Sequence, residues 1–171
     1  MRKTPIEVFD YASEITKAIP KGILLTAKAG DRLNTMTIGW GTLGTEWGIP
    51  VFVAYVRESR FTRQLLDENP EFTVNVPLGD FDKQILSFCG TKSGRDVDKF
   101  ATLGLTAVEP ESISVPGIAQ LPLTLECRVV YRQLQNEALE STLRDRFYPG
   151  PQPDLHVAYY GQIVSAYRIE P

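Results

Sequence analysis

A dense group of hydrogen-bond donors follows the apolar, strand-like run VFVAYV in this chain. Arg57, Ser59, Arg60, Thr62 and Arg63 fall within seven residues. Guanidinium groups match phosphate geometry, and the first turn of a helix adds unpaired N–H groups and the positive end of its dipole. A helix that begins after Ser59 therefore predicts a phosphate cradle at this junction. The same spacing also fits a solvated helix start, with Ser59 as an ordinary N-cap and the arginines paired with neighbouring glutamates.

The stretch NTMTIGWGT (34–42) alternates polar with apolar side chains. Its polar members are Asn34, Thr35, Thr37 and Thr42, and its apolar members are Met36, Ile38 and Trp40. Because successive side chains of a strand point to opposite faces, a hydroxyl-rich face beside Trp40 can border a flat heteroaromatic ring. An ordinary half-exposed strand with a threonine face has the same pattern, so the stretch alone leaves both interpretations open.

A glycine-flanked basic stretch, CGTKSGRDVDKF, occupies residues 89–100. Its spacing does not match the G-x-x-x-x-G-K-[ST] phosphate loop. Ser93, Gly94, Arg95 and Lys99 can form a basic loop that covers an anionic or planar ligand. A turn between two helices with solvated charges is the alternative.

Other chemistry is poorly represented. His156 is the only histidine, and no cysteine or carboxylate accompanies it at metal-ligand spacing, so we expect a satisfied strand histidine and no metal site. Cys89 and Cys127 do not form a C-x-x-C motif, which argues against disulfide redox chemistry. The motifs G-x-S-x-G and H-E-x-x-H are absent from the sequence. The stretch GWGTLG (39–44) matches G-x-G-x-x-G by letter, but it lies between two predicted strands and does not open a helix, so a nicotinamide cofactor would not be held by a Rossmann domain.

Composition limits the partners. The 171 residues are enough for one domain, which we expect over residues 1–171. The net charge of −3 and the pI of about 5.3 provide no general positive field for nucleic acid or membrane, so a local basic group suggests a small anion. Two cysteines, charges throughout the N-terminal stretch and no run of membrane-spanning length predict a cytoplasmic protein.

Short strands must position these residues. The sequence predicts a capping box at Thr4–Glu7 with a helix over Pro5–Ala18, and two strands around a Gly30-Asp31 turn. Further strands are expected in GIPVFVAYV, EFTVNVP and LPLTLECRVVYRQL, with short helices over residues 60–68 and in DFDKQILSFCG and RDVDKFATLG. The stretch LHVAYYGQIVSAYRI is either a late strand pair or one long bent strand, after a loop at 148–154. The hairpin spacing of the first strands favours a mainly β, largely antiparallel barrel with short peripheral helices.

The order of these stretches along the chain resembles a known family. The blocks PKGILLTAKAGDRLNTMTIGWGT, VAYVRESRFTRQLLDENPEFTVNVP, FCGTKSGRDVDKF, LPLTLECRVVY and LHVAYYGQIVSAY are similar to those of the flavin reductase-like family of FMN-binding split barrels. Flavoredoxin and the NAD(P)H:flavin oxidoreductases belong to that family. The resemblance extends from about Ile15 to Ile169.

The resemblance implies a split β-barrel that forms a homodimer with FMN near the interface. It implies that the flavin ring lies along Asn34, Thr35, Met36, Thr37 and Trp40. It implies that the FMN phosphate is held by Arg57, Ser59, Arg60 and Thr62, and that Ser93, Gly94, Arg95 and Lys99 cover the flavin. His156 would approach the site from the same or the partner subunit.

The function implied by the resemblance is an NAD(P)H-dependent flavin reductase that transfers hydride from a nicotinamide to FMN N5. Such a transfer depends on ring-to-ring proximity, so we expect no catalytic residue. Two alternatives remain open: a flavoredoxin-type electron carrier that passes electrons from bound FMN to a protein partner, and a non-catalytic flavin-binding module.

Overall fold

The computed structural model describes residues 1–135 and 138–170. These ranges contain ten strands: β1 (Arg2–Pro5), β2 (Ile23–Ala29), β3 (Arg32–Ile38), β4 (Gly41–Glu46), β5 (Ile49–Arg57), β6 (Glu71–Val76), β7 (Ala107–Val108), β8 (Gly117–Ile118), β9 (Leu123–Leu134) and β10 (His156–Glu170). Eight of them make one antiparallel sheet in the order β3-β2-β6-β9-β10-β5-β4, with β1 paired to β10. Strands β7 and β8 pair with each other separately.

The helices are short and lie outside the sheet or at its ends. In the described part of the chain they are α1 (Ala12–Ala18), α2 (Phe61–Glu68), α3 (Gln84–Thr91), α4 (Lys99–Leu103) and α5 (Ser141–Phe147). Two 3-10 turns, Val8–Tyr11 and Ile19–Lys21, flank α1. None of the described helices has the length and apolar character needed to cross a bilayer.

The large sheet curls around one apolar core. Strands β2, β3, β5, β6, β9 and β10 all contribute buried side chains to it. Phe52 and Phe72 are fully buried there, and each such burial stabilises the fold by about 1.5–3 kcal/mol. Strand β3 lies beside β5 without a hydrogen-bonded ladder between them, so the barrel is split at this seam. The prediction of a mainly β, antiparallel split barrel with short peripheral helices is confirmed.

The first hairpin follows the sequence pattern closely. Strands β2 and β3 pair from Ile23 with Ile38 to Ala29 with Arg32. Gly30 supplies the left-handed turn residue, with φ of 57°. This hairpin carries the 34–38 stretch to the seam, directly opposite the end of β5.

The N-terminal prediction is wrong over its first half. The capping box at Thr4–Glu7 does not form, because residues 2–5 are strand β1, and only residues 12–18 of the predicted Pro5–Ala18 helix are α-helical. The reason is an available strand edge. Strand β5 pairs only with residues 156–162 of β10, so this edge of β10 is left without β5 beyond residue 162. Strand β1 pairs with residues 167–170 of β10 and so covers part of that edge.

Strands β4, β7 and β8 and helix α5 were not predicted, and one open alternative is resolved. Strand β4 forms a hairpin with β5 around Trp47 and Gly48, both with positive φ, as primed hairpin turns require. Helix α5 begins after Glu140, whose carboxylate accepts hydrogen bonds from the first-turn N–H groups. The late segment is one long strand, β10, with two register shifts against β9.

Candidate functional site

A cavity of about 220 Å³ lies where β3, the β5–α2 junction and the loop before α4 converge. It is lined by Asn34, Met36, Arg57, Ser59, Arg60, Phe61, Thr62, Lys92, Ser93, Gly94, Arg95, Lys99 and Asp154. We call it the basic cavity, because five of these residues are basic and Asp154 is the one acid among them. This excess of positive charge in a partly enclosed space favours a small anion.

Asp154 binds the donors of Ser59. Its carboxylate accepts hydrogen bonds from the Ser59 backbone N–H at 2.9 Å and from the Ser59 hydroxyl at 2.6 Å. The interpretation of Ser59 as the N-cap of α2 is therefore wrong: Arg60 occupies the cap position, without a side-chain cap bond. The Ser59 hydroxyl is turned toward the loop that precedes β10, where a carboxylate is available as a strong acceptor.

The three arginines of the junction separate into two environments. Arg57 donates to the Asp154 carbonyl oxygen at 2.7 Å, and Arg60 donates to the Gly90 carbonyl oxygen at 3.3 Å, so both guanidinium groups stay at the basic cavity. Arg63 instead pairs with Asp67, one helical turn away on α2, with 3.0 Å between Nε and Oδ2. The predicted phosphate cradle thus contains two of the three arginines.

Strand β3 presents Asn34 and Met36 to the basic cavity. The Asn34 amide donates to the Thr62 hydroxyl at 2.8 Å, which ties β3 to the first turn of α2. Thr35 lies on the other face of the strand, fully buried, with its hydroxyl 3.0 Å from that of Thr26. Its side chain is therefore not brought to the cavity.

The glycine-flanked stretch forms the opposite wall. Ser93 and Gly94 line the cavity, and the Arg95 guanidinium donates to the Ser59 carbonyl oxygen at 3.1 Å while lying 5.5 Å from the Phe61 ring centroid. These contacts attach the loop to the β5–α2 junction, which makes it one side of the same site.

Lys99 is a buried cation. The side chain is 3% exposed, and its ammonium donates to the carbonyl oxygens of Thr35 at 2.8 Å and Cys89 at 3.0 Å. Burial lowers the pKa of Lys99, and the nearby Arg60 charge lowers it further. No carboxylate in the described residues forms an ion pair with Lys99, so an anionic ligand would complement its charge.

A second cavity, of about 230 Å³, adjoins the first and shares Met36, Arg57 and Arg60 with it. We call it the aromatic cavity. It is completed by Thr37, Ile38, Gly39, Trp40, Tyr55 and His156. The two cavities together run from a basic end to an end lined by rings.

His156 belongs to the aromatic cavity and is 8% exposed. Its Nδ1 lies 2.6 Å from the Tyr148 hydroxyl, and its ring centroid lies 4.6 Å from that of Trp40. Burial, with the charges of Arg57 and Arg60, lowers the pKa of His156 to about 4. The imidazole is therefore neutral at neutral pH and does not add to the positive charge of the site.

All the predicted site residues except Thr35 line one of these two cavities. Four further lining residues are not indicated by any sequence pattern: Phe61, Lys92, Tyr55 and Asp154. Asp154 lies in a stretch with no motif, and only the folded chain brings it to Ser59. Among the described residues, no group of three His, Cys, Asp or Glu side chains is placed to hold a metal ion.

A family model named "Flavin reductase like domain" matches residues 17–170. The chain belongs to the flavin reductase-like family. The match includes both cavities and every strand of the large sheet except β1. The family resemblance expected from the sequence is thus confirmed.

Three solved structures illustrate the likeness within the flavin reductase-like family. An FMN-binding domain of a flavin reductases-like enzyme from Shewanella baltica is 17% identical, with a TM-score of 0.68 over 98% of this chain and 77% of that one. Flavoredoxin from Methanosarcina acetivorans is 26% identical, with a TM-score of 0.65 over 87% and 68%. The NADH:FAD oxidoreductase SgcE6 of Streptomyces globisporus is 20% identical, with a TM-score of 0.64 over 97% and 89%.

Proposed function

We propose that this protein binds FMN and acts as an NAD(P)H-dependent flavin reductase. The observation that carries the proposal is the pair of adjoining cavities: a basic one suited to a phosphate and an aromatic one suited to a flat ring. Their shared wall of Met36, Arg57 and Arg60 allows one ligand to span both. FMN has this division between a phosphate and a ring.

The side chains present fit the phosphate end of FMN. The Asp154 carboxylate shows that the two donors of Ser59 converge on one anion. The Arg60 guanidinium borders the same cavity, where Lys99 has no ion-pair partner in the described residues. In this proposal the phosphate replaces the Asp154 carboxylate as the acceptor of the Ser59 donors and is held by Arg57, Ser59, Arg60 and Thr62. Each charge-assisted bond contributes about 1.5–3 kcal/mol.

The aromatic cavity fits the ring end. Trp40 and Thr37 border it, and neutral His156 offers a ring face without a charge. FMN, when bound, supplies hydride chemistry at its N5 atom, while the protein binds and orients it. Arg95 and Lys99 line the basic cavity and not the aromatic one, so their positive charge would act at the phosphate end of FMN. We propose no general acid or base among the residues of this site.

The nicotinamide co-substrate is part of the proposal. The G-x-G-x-x-G match at 39–44 joins strands β3 and β4 and does not lead into a helix, so it is not a dinucleotide-binding motif, and NAD(P)H would approach across an open surface beside the ring. The name of SgcE6, an NADH:FAD oxidoreductase of the same fold, supports a nicotinamide as the electron donor. The flavoredoxin likeness supports the alternative of an electron carrier that serves a protein acceptor.

Both cysteines are buried free thiols, as suits the proposed cytoplasmic setting. Burial raises the pKa of Cys89 to about 11, so its thiol remains protonated at neutral pH despite the nearby Lys99 charge. Burial likewise raises the pKa of Cys127. A protonated, buried thiol is a poor nucleophile, which leaves redox work to a bound flavin.

We also propose that the protein is a homodimer. An aromatic patch of Trp47, Tyr131 and Tyr160 lies on the outer face of the sheet, with Trp47 59% and Tyr131 44% exposed. Exposed, adjoining aromatic rings are enriched at protein interfaces. A second copy of this chain is the partner we propose for the patch.

Binding tests the proposal directly. FMN and riboflavin are titrated separately into the protein while flavin fluorescence is measured. Because riboflavin lacks the phosphate, we expect FMN to bind at least about tenfold more tightly, or about 1.4 kcal/mol. Equal affinities, or no binding of FMN at saturating concentration, would contradict the assignment of the basic cavity.

Reduction then separates enzyme from carrier. The FMN complex is mixed anaerobically with NADH or NADPH in a stopped-flow instrument, and flavin absorbance is recorded. Rapid bleaching by either nucleotide supports the reductase. Tight FMN binding without bleaching supports the flavoredoxin-type carrier.

A further inference from the structure

An apolar cleft of about 590 Å³ lies next to the aromatic cavity and extends beyond the proposed FMN site. It shares Gly39, Trp40 and Tyr55 with that cavity. The rest of its lining is Thr16, Ile19, Pro20, Gly41, Thr42, Leu43, Gln135, Leu139, Leu143, Phe147 and Tyr148. Its volume falls within the range of about 300–1,000 Å³ that small-molecule sites occupy.

None of the described residues that line the apolar cleft is charged. This distinguishes the cleft sharply from the basic cavity on the other side of the site. A dinucleotide carries two phosphates and needs cations or helix N-termini to replace its hydration. The cleft is therefore suited to an uncharged molecule.

The polar groups of the apolar cleft are few and include one close pair. The Thr42 hydroxyl lies 3.2 Å from the Tyr55 hydroxyl. Such a pair can hydrogen-bond one oxygen or nitrogen of a ligand and so fix its orientation, while the surrounding side chains contribute apolar contact.

Trp40 forms the wall between the two spaces. Its ring centroid lies 4.6 Å from that of His156, in the aromatic cavity, and 5.2 Å from that of Phe147, in the apolar cleft. Trp40 is 39% exposed, and Leu143 on α5 is 46% exposed. A ligand in the cleft would cover these apolar groups and would lie beside the ring end of the proposed flavin site.

We propose that the apolar cleft binds an uncharged, apolar organic molecule with a single hydrogen-bonding group, held against Trp40 and oriented by the Tyr55 and Thr42 hydroxyls. The site gives this chain a substrate class distinct from the nicotinamide. Its role as a second substrate site rests on the proposed flavin function. The binding itself does not, because no FMN group contributes to the lining.

The test compares two probes of similar shape and different charge. Calorimetric titration of the full chain, without added flavin, is carried out with 2-naphthol and with 2-naphthoate at neutral pH. We expect 2-naphthol to bind at least tenfold more tightly. Equal or tighter binding of 2-naphthoate would overturn the proposal.

A pair of variants locates the binding. Leu143→Lys places an ammonium in the cleft and is expected to weaken 2-naphthol binding at least tenfold. Phe9→Lys changes a side chain of similar exposure, 50%, outside the cleft and should leave the affinity unchanged. Thermal unfolding of both variants is followed by circular dichroism to verify that they are folded.

Two results would overturn the proposal at this stage. The first is equal 2-naphthol affinity in Leu143→Lys and the unchanged protein. The second is a shift of the oligomeric state by Leu143→Lys, which would assign the cleft to a second copy of the chain. The FMN titration succeeds or fails independently of this test. If the protein binds 2-naphthol selectively but does not bind FMN, only the proposed flavin function is rejected.

Discussion

Gly94 packs directly against Asn34: a Cβ atom added to Gly94 would lie 2.1 Å from the Asn34 Oδ1 atom and 3.0 Å from the Phe61 ring. A separation of 2.1 Å is impossible for non-bonded atoms, so the loop or β3 must move to admit a side chain. The glycine therefore sets the distance between two walls of the basic cavity.

The first prediction follows from that distance. Gly94→Ala should weaken FMN binding at least about tenfold and destabilise the fold by about 1–3 kcal/mol through overpacking. Gly44→Ala is the matched control, because a Cβ there has no heavy atom within 4 Å. Fluorescence titration and urea unfolding measure the two effects, and FMN affinity equal in both variants would reject the role of Gly94.

The second prediction compares Arg60, which lines both cavities, with Arg63, which lines neither. Arg60→Ala removes a guanidinium from both cavities and should weaken FMN binding by at least about tenfold, or ~1.4 kcal/mol. Arg63→Ala removes the same group from a residue that pairs with Asp67 outside the cavities, so FMN affinity should remain unchanged. Riboflavin is titrated in parallel, and its affinity should respond less to Arg60→Ala. A similar loss in both arginine variants would mean that the effect is not local.

The local part of this fold could be predicted because alternation and turn residues act over a few positions. The β2–β3 hairpin follows from its Gly30-Asp31 turn, and the junction after β5 follows from the apolar run before it. Residues 4–7 had a local helix-start pattern, and pairing of residues 2–5 with the distant strand β10 prevailed over it. Tertiary contacts of this kind override local propensity.

The site could be predicted to the same extent and for the same reason. Its residues at 34–37, 57–62 and 93–99 form recognisable local stretches, so the sequence alone indicates their side chains. Thr35 was grouped with Asn34, although the two point to opposite faces of β3. Asp154 reaches Ser59 across 95 residues of sequence, and no local pattern encodes that contact.

The third prediction concerns Asp154, the acid that lines the basic cavity. Asp154→Asn removes its negative charge and leaves an oxygen that can still accept from Ser59. The positive potential of the cavity rises, so FMN should bind several-fold more tightly, while riboflavin affinity should be nearly unchanged. The effect should shrink at high ionic strength because salt screens it. Weaker FMN binding by Asp154→Asn would instead assign the Asp154 carboxylate to holding Ser59 in place.

The fourth prediction concerns the aromatic patch. Tyr131→Glu places a charge among exposed rings and should shift a homodimer toward monomer in sedimentation velocity experiments. Phe9→Glu, at a comparably exposed position away from the patch, should leave the sedimentation coefficient unchanged. A protein that is monomeric before substitution, at all concentrations tested, would reject the proposed homodimer.

The last prediction is a dependence of stability on pH that originates at His156. Burial and the charges of Arg57 and Arg60 lower its folded pKa to about 4, below the ordinary value of 6.5. Between these values the unfolded chain binds the proton and the folded chain does not. The contribution to stability is therefore complete above pH 6.5 and is lost as the pH falls toward 4. Urea unfolding at pH 7 and pH 5 should give a loss about 2 kcal/mol larger in the unchanged protein than in His156→Gln, and equal losses would mean that the buried imidazole does not resist protonation.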